Sequence, residues 1–270
     1  MKGMAAGIAL KACIYISVFL IGTVIFSFLG VLVDHFTKEK GEKLSEGRSK
    51  CPVCGHKWKY RESIPVFSWI FQRGRCMYCF ERIPARYTMI ELLGGILSIV
   101  VIVYYGISLK ALTLFLLYGI LTMISWIDIE TRYIPPALNV LIAVLGVLSI
   151  WTLPGPTLLE RGIGMLCVSI PLVILGFIIP DGFGGGDIKM MATAGIFLGW
   201  KATITAFFIA LILGGAYGIY LLLIKKKSKK DHFAFGPFLS IGIAIAAYGG
   251  IGTYVMNLYL HMIQTIIASV

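Results

Sequence analysis

The chain has 270 residues, of which 58% are hydrophobic and 14% charged, with a formal net charge of +11. Its mean hydropathy of +0.89 excludes a soluble globular protein, and the uncharged runs reach the roughly 20 residues that cross a ~30 Å hydrocarbon core. The positive charge is read as the Lys and Arg bias of cytoplasmic loops rather than as a nucleic-acid footprint.

The run 12–33 is longer than the ~7–15-residue core of a secretory signal and is followed by no small-residue cleavage site, so it is expected to be a retained first helix. Residues 34–87 are polar and carry 12 of the 24 Lys and Arg residues. Cys51, Cys54, Cys76 and Cys79 form two C-x-x-C pairs here, the spacing of a tetrahedral structural zinc site. A pair of disulfides is the alternative, disfavoured in the reducing compartment that the topology below implies. A segment this small buries little core, and a metal supplies what burial does not. His56 is a bystander to four thiolates, and Cys13 and Cys167 are small buried side chains.

Further helices are expected over 88–109, 111–127, 137–153, 162–180, 188–200 and 202–224. The last apolar run, 233–270, is one tilted helix, or two short passes broken at Gly249, Gly250 and Gly252. Eight crossings gather 19 of the 24 Lys and Arg residues on one side: the loop, Arg132, Lys189 and the run Lys225–Lys230. The positive-inside bias makes that side cytoplasmic. The fold class is therefore all-α and polytopic, with about eight transmembrane helices: residues 1–33, a zinc-binding cytoplasmic loop domain at 34–87, and a transmembrane domain at 88–270.

Among 13 Asp and Glu residues, Glu91, Asp128 and Asp187 abut or enter the apolar segments. Charge in such places is costly and is usually kept for function, with a partner. Asp128 and Asp187 share the cytoplasmic end of two helices. Two adjacent carboxyls do not both ionise readily, so one keeps a proton while the other stays charged, the arrangement that activates water and protonates a leaving amine. Solvated helix-end charges are the alternative, favourable for Asp187 at a helix start and unfavourable for Asp128 at a helix end. Gly184, Gly185 and Gly186 lack Cβ atoms and let backbone approach a substrate, as an added strand would. A flexible linker is equally glycine-rich. Glu91 either binds a cationic group or pairs with Arg86, and Lys189 is a topology anchor or a partner of Asp187.

Gly184-Gly185-Gly186-Asp187-Ile188-Lys189 resembles the G-x-G-D-x-K motif of bacterial type IV prepilin peptidases. Ile127-Asp128 with Ile134-Pro135 resembles their first aspartate segment, and the paired C-x-x-C motifs with Arg86-Tyr87 and Glu91 resemble their loop and second helix. The resemblance implies an intramembrane aspartyl protease that removes short basic leaders from prepilins and pseudopilins, with Asp128 and Asp187 as catalytic dyad. It also implies N-methylation of the new terminus with S-adenosylmethionine, and a bacterial inner-membrane location. Gly184, Gly185, Gly186, Lys189 and Glu91 are the expected substrate contacts, and Asp34, Glu130 and Asp181 are solvated charges or attractors of the leader. The chain departs from the family where Pro136 replaces an aspartate, where Gly30 replaces an asparagine, and at Glu62-Ser63-Ile64-Pro65. Other readings are a presenilin-like protease acting on other membrane helices, or a transporter with proton- or ion-binding carboxylates.

Overall fold

The structure, a computed structural model, describes residues 2–37, 53–56, 65–153, 155–178, 184–223 and 233–268. They are helical, with one isolated bridge between Arg75 and Arg82 and no strand among them. The chain forms two compact units, Met1–Gly106 and Ile107–Val270.

In the first unit, α1 (Lys2–Thr37) packs along α3 (Ala85–Tyr105), with the short α2 (Phe67–Phe71) in the segment between them. Helix α1 runs past the expected 12–33 at both ends, and α3 starts three residues before the expected 88 and stops four short of 109; where the end of α1 meets the start of α3, polar groups hold both. Arg86 pairs with Asp34, whose other oxygen accepts a hydrogen bond from the Tyr87 hydroxyl at 2.8 Å. Asp34 is thus a buried, paired group and not a solvated charge. Midway, Ser98 Oγ donates to the Val18 carbonyl at 3.1 Å. A Cβ on Gly22 would lie 2.5 Å from that same Oγ, so a larger residue would separate the helices.

The second unit holds α4 (Leu109–Thr131), α5 (Pro136–Thr152), α6 (Leu158–Cys167), α7 (Ser169–Ile178), α8 (Gly185–Leu198), α9 (Trp200–Leu223), α10 (Gly236–Ala247) and α11 (Ile251–Ala268). Local chemistry sets the ends. Ser108 caps α4 by accepting the Ala111 N–H, Pro136 occupies the first position of α5, and Thr157 with Glu160 forms a capping box on α6. The segment expected as one helix over 162–180 breaks after Cys167. Pro171 has no N–H to give the carbonyl four residues back, and its ring crowds that carbonyl.

Among the described residues, six helical runs are long and apolar enough to span a bilayer: Gly7–Thr37, Ala85–Tyr105, Leu109–Thr131, Leu158–Ile178, Trp200–Leu223 and Gly236–Thr265. Helix α5 is apolar but has 17 residues, and α8 has 14. The run after Phe233 kinks at Gly249, where φ is 59°, yet follows one path along α9. Gly214 lies beside Phe235, Gly242 beside Ala206, and Gly252 beside Ala202, while Lys201 donates to Asn257 at 2.7 Å. Helix α10 continues into α11 antiparallel to α9, and the two do not form a hairpin.

Candidate active site

Four helix ends meet at one end of the second unit. They are the C-terminus of α4 and the N-termini of α5, α8 and α10. Each brings its first or last buried position there. On α4 the buried stripe Leu114, Leu117, Leu121, Ile124 closes on Asp128, which is 5% exposed. On α8 the stripe Met190, Met191, Ala194 opens on Asp187, which is 9% exposed. On α10, Leu239 and Ile243 continue the face that starts at Gly236.

Helix α4 ends just past Asp128 because Arg132 takes a left-handed conformation, φ 54°, and returns its N–H to the Asp128 carbonyl at 2.8 Å. The chain then extends through buried Ile134 into α5. Ile134 lies against Gly186, where an added Cβ would come within 2.9 Å of the Ile134 Cβ. This close approach brings the start of α8 onto the connection that follows Asp128. Gly186 therefore has a packing reason to be glycine, whereas Gly185 has open space around it.

Asp128 and Asp187 lie near enough to interact electrostatically. Each accepts a backbone hydrogen bond at a helix start. The Gly236 N–H donates to Asp128 Oδ2 at 2.8 Å, and the Gly184 N–H donates to Asp187 Oδ2 at 3.2 Å. One oxygen of each carboxyl is thus fixed by backbone, and Gly184 and Gly185 are exposed beside Asp187. Lys189 is exposed and turns away from this centre, bordering a groove of about 510 Å³ between α5 and α8 with Val140, Val144, Val147 and Thr193. Asn139 also lines the groove, 3% exposed, with no hydrogen-bond partner among the described residues for either amide atom.

In the first unit, the sulfurs of Cys54, Cys76 and Cys79 all lie within 4.8 Å of one another. Cys51 lies outside the described residues, as do Asp181 and Lys225–Lys230. A tight turn builds the second knuckle. The Phe80 N–H returns to the Cys76 carbonyl at 2.9 Å, the Cys76 N–H reaches Glu81 at 2.8 Å, and Phe80 has φ 58°. The Cys54 and Cys76 sulfurs are 3.9 Å apart, far beyond the ~2.05 Å of a disulfide. Four thiolates at about 2.3 Å from a tetrahedral zinc have sulfurs roughly 3.8 Å apart, so the donor set fits that ion. His56 stacks on Tyr78, ring centroids 3.6 Å apart.

Arg86 is bound to Asp34, and Glu91 has neutral partners of its own. It accepts from Ser27 Oγ at 2.7 Å and from the Val66 N–H at 2.8 Å. Val66 has φ 64°, an outlier for a β-branched residue, and this carboxylate bond holds it there.

Three residues were not singled out from the sequence. Gly236 and Asn139 carry no charge to draw notice. Arg161 belongs to no motif, yet it is 4% exposed and its guanidinium donates to the Ser149 Oγ at 2.6 Å and to the Ile196, Phe197 and Gly146 carbonyls at 2.8, 3.2 and 3.3 Å. Its place beside Glu160 at the start of an apolar run was the available signal.

Comparison with known proteins gives the same picture for both halves. Residues 20–105 match the Bacterial Peptidase A24 N-terminal domain, and residues 115–219 match the Type IV leader peptidase family. The chain is 31% identical over 217 residues to a prepilin leader peptidase/N-methyltransferase of Pseudomonas putida, covering 78% of this chain and 75% of the relative. A protein of the same description from Bacillus subtilis strain 168 is 32% identical over 221 residues, 80% of this chain and 86% of the relative. One from Burkholderia pseudomallei strain K96243 is 33% identical, with 77% and 69% covered. No solved structure matches.

Proposed function

The chain belongs to the type IV leader peptidase family and is an aspartic peptidase of the membrane, and from that premise we propose that Asp128 and Asp187 are its catalytic dyad, cutting the leader from prepilins at the cytoplasmic face. The observation that carries this reading is the pair of buried carboxyls at one end of the second unit, each anchored through one oxygen by a backbone N–H.

The chemistry needs only water. One carboxylate takes a proton as water attacks the scissile carbonyl carbon. The other carboxyl gives its proton to the carbonyl oxygen, and the first then protonates the departing amine nitrogen as the C–N bond breaks. Burial strengthens these interactions and restricts bulk water. The exposed Gly184 and Gly185 leave backbone accessible beside Asp187, where an extended substrate can lie. Sidedness rests on the charge count of the sequence, which puts 19 of the 24 Lys and Arg residues on the side expected for Asp128 and Asp187.

In the first unit, Cys51, Cys54, Cys76 and Cys79 are proposed to hold a structural zinc ion, which ties the loop together and takes no part in hydrolysis. The fit of the three described thiols supports this. A second activity, methyl transfer from S-adenosylmethionine to the new N-terminal amine, is proposed from the relatives' printed descriptions.

The test is purified Asp128→Asn and Asp187→Asn protein incubated with a prepilin, with and without S-adenosylmethionine, followed by product mass. Neither variant is expected to remove the leader, while both accumulate in the membrane. Cleavage by either at the unsubstituted rate rules out the dyad. Cleavage by the unsubstituted protein without added methyl mass rules out the second activity.

A further inference from the structure

Gly236 touches Asp128 in two ways that a packing glycine does not. Its N–H gives Asp128 Oδ2 a 2.8 Å hydrogen bond between groups 108 residues apart. A Cβ at Gly236 would stand 2.7 Å from that same oxygen and 3.1 Å from the carboxyl carbon. The residue is therefore glycine because the carboxyl fills the place of its side chain.

The first turn of α10 makes this N–H the donor it offers. Pro237 has none, and the N–H groups of Phe238 and Leu239 return to the Phe235 carbonyl at 3.0 and 3.2 Å. The positive end of the twelve-residue α10 thus presents one N–H, aimed at a carboxyl that its own helix α4 presents at the unfavourable end. Asp187 is held differently. Its donor, Gly184, lies three residues back at an exposed position, at the longer distance of 3.2 Å.

We propose that Gly236 is a positioning residue of the dyad: it orients Asp128 and keeps it as the carboxylate, leaving Asp187 to carry the shared proton. This rests on the dyad reading above. A hydrogen bond to the charged form of a carboxyl favours that form, and the shorter, drier bond does so more. The favourable dipole that α8 offers Asp187 is the weaker influence beside it. With Oδ2 engaged, Asp128 Oδ1 is the atom that takes the proton of the attacking water. Asp187 gives its proton to the carbonyl oxygen. On collapse Asp128 passes its proton to the amine nitrogen, and Asp187 recovers one from the gem-diol as the C=O bond re-forms.

Among the described residues, few other charges bear on Asp128. Helices α5 and α10, packed on α4, contain no titratable residue. Helix α8 brings Asp187, with Lys189 turned to the groove. Glu130 and Arg132 follow on the α4 end itself and are exposed.

The test compares Gly236→Ala with Gly242→Ala on the full-length protein. Gly242 lies on the same helix but packs against the Ala206 carbonyl, away from the dyad, and serves as the control for packing alone. Gly236→Ala is expected to lower kcat/KM about 10- to 100-fold, with KM within roughly threefold, the loss of one hydrogen bond to a charged group. The acid limb of its kcat/KM profile moves to higher pH, because the carboxylate has lost its donor. Gly242→Ala is expected to lower membrane accumulation or Tm and leave the limb in place. A fall in rate for Gly236→Ala with an unmoved limb overturns the proposal.

A second measurement needs no change at Gly236. Carboxyl carbon NMR of the unsubstituted protein, assigned with the two Asn variants, should show Asp128 ionised and Asp187 protonated in the pH range where the pair holds one proton. The reverse assignment overturns the proposal. Leader removal that survives Asp128→Asn or Asp187→Asn overturns the dyad reading itself, a separate result from either of these.

Discussion

The two ends of the second unit both bury charge, and they do so in opposite ways. At one end, Asp128 and Asp187 lie among helix N-termini, where N–H groups point outward, and each has one oxygen fixed by backbone. At the other, Arg161 lies among the C-termini of α5 and α8 and is met by carbonyls of Gly146, Ile196 and Phe197 and by Ser149. Each charge is met by ends of neighbouring helices whose dipoles suit it, although α4 and α6 present Asp128 and Arg161 at their own unfavourable ends. The difference is saturation. The guanidinium donates on several sides and ties three segments together. The carboxyls keep oxygens for chemistry. Buried charge alone therefore does not mark a reactive group; buried charge with spare hydrogen-bonding capacity does.

That contrast predicts separable failures. Asp128→Asn and Asp187→Asn should each lower leader removal at least ~10⁴-fold, the cost of removing one member of a group that acts as a unit. Their thermal unfolding in detergent should stay close to that of the unsubstituted protein. Equal losses of folding and activity would erase the distinction between the two ends.

Arg161→Met inverts the result. Removing a buried cation and orphaning several carbonyls should destabilise by about 3–5 kcal/mol, read as a lower Tm. The activity of the fraction that stays folded should change little. A large loss of turnover at unchanged Tm would show that the two ends are coupled.

Metal removal touches the first unit. A strong chelator, or Cys76→Ser, should release a metal that elemental analysis finds at one per chain, and should expose the loop to limited proteolysis. Retention of full protease resistance after metal loss would show that the thiols do not hold the loop together.

Smaller effects belong to single anchors. Glu91→Gln keeps the side chain's shape but weakens the bonds from Ser27 and the Val66 N–H, and should cost roughly 1–2 kcal/mol of stability. Thr157→Ala removes the capping box on α6 and should cost about 1 kcal/mol. The ranking places Glu91 with structural anchors rather than with the reacting groups, and a KM for prepilin unchanged in Glu91→Gln would bear that out.

Much of this was legible before any coordinates. Hydrocarbon admits no unpaired backbone polar groups, so long apolar runs must be helices, and their ends fall at charges, prolines and glycines. Pro136, the glycines before Asp187 and those at 249–250 mark ends and a kink that the structure also shows. The α6–α7 break at Pro171 was equally available in the sequence and went unread. The side that a helix turns inward was not available. In a soluble protein the core-facing stripe stands out against a polar face, but lipid is as apolar as the core, so both sides of α4, α8 and α10 read alike.

Sequence by itself therefore determined an all-helical membrane chain, the cysteine pairs, and two aspartates at the limits of apolar segments. Only the tertiary structure decided that these aspartates close the buried stripes of different helices, that Gly236 gives one of them its hydrogen bond from 108 residues away, and that Arg161 rather than a carboxylate binds the opposite end. The reason is reach. Local chemistry fixes where a helix starts and stops, whereas partners across the bundle are chosen by which faces meet.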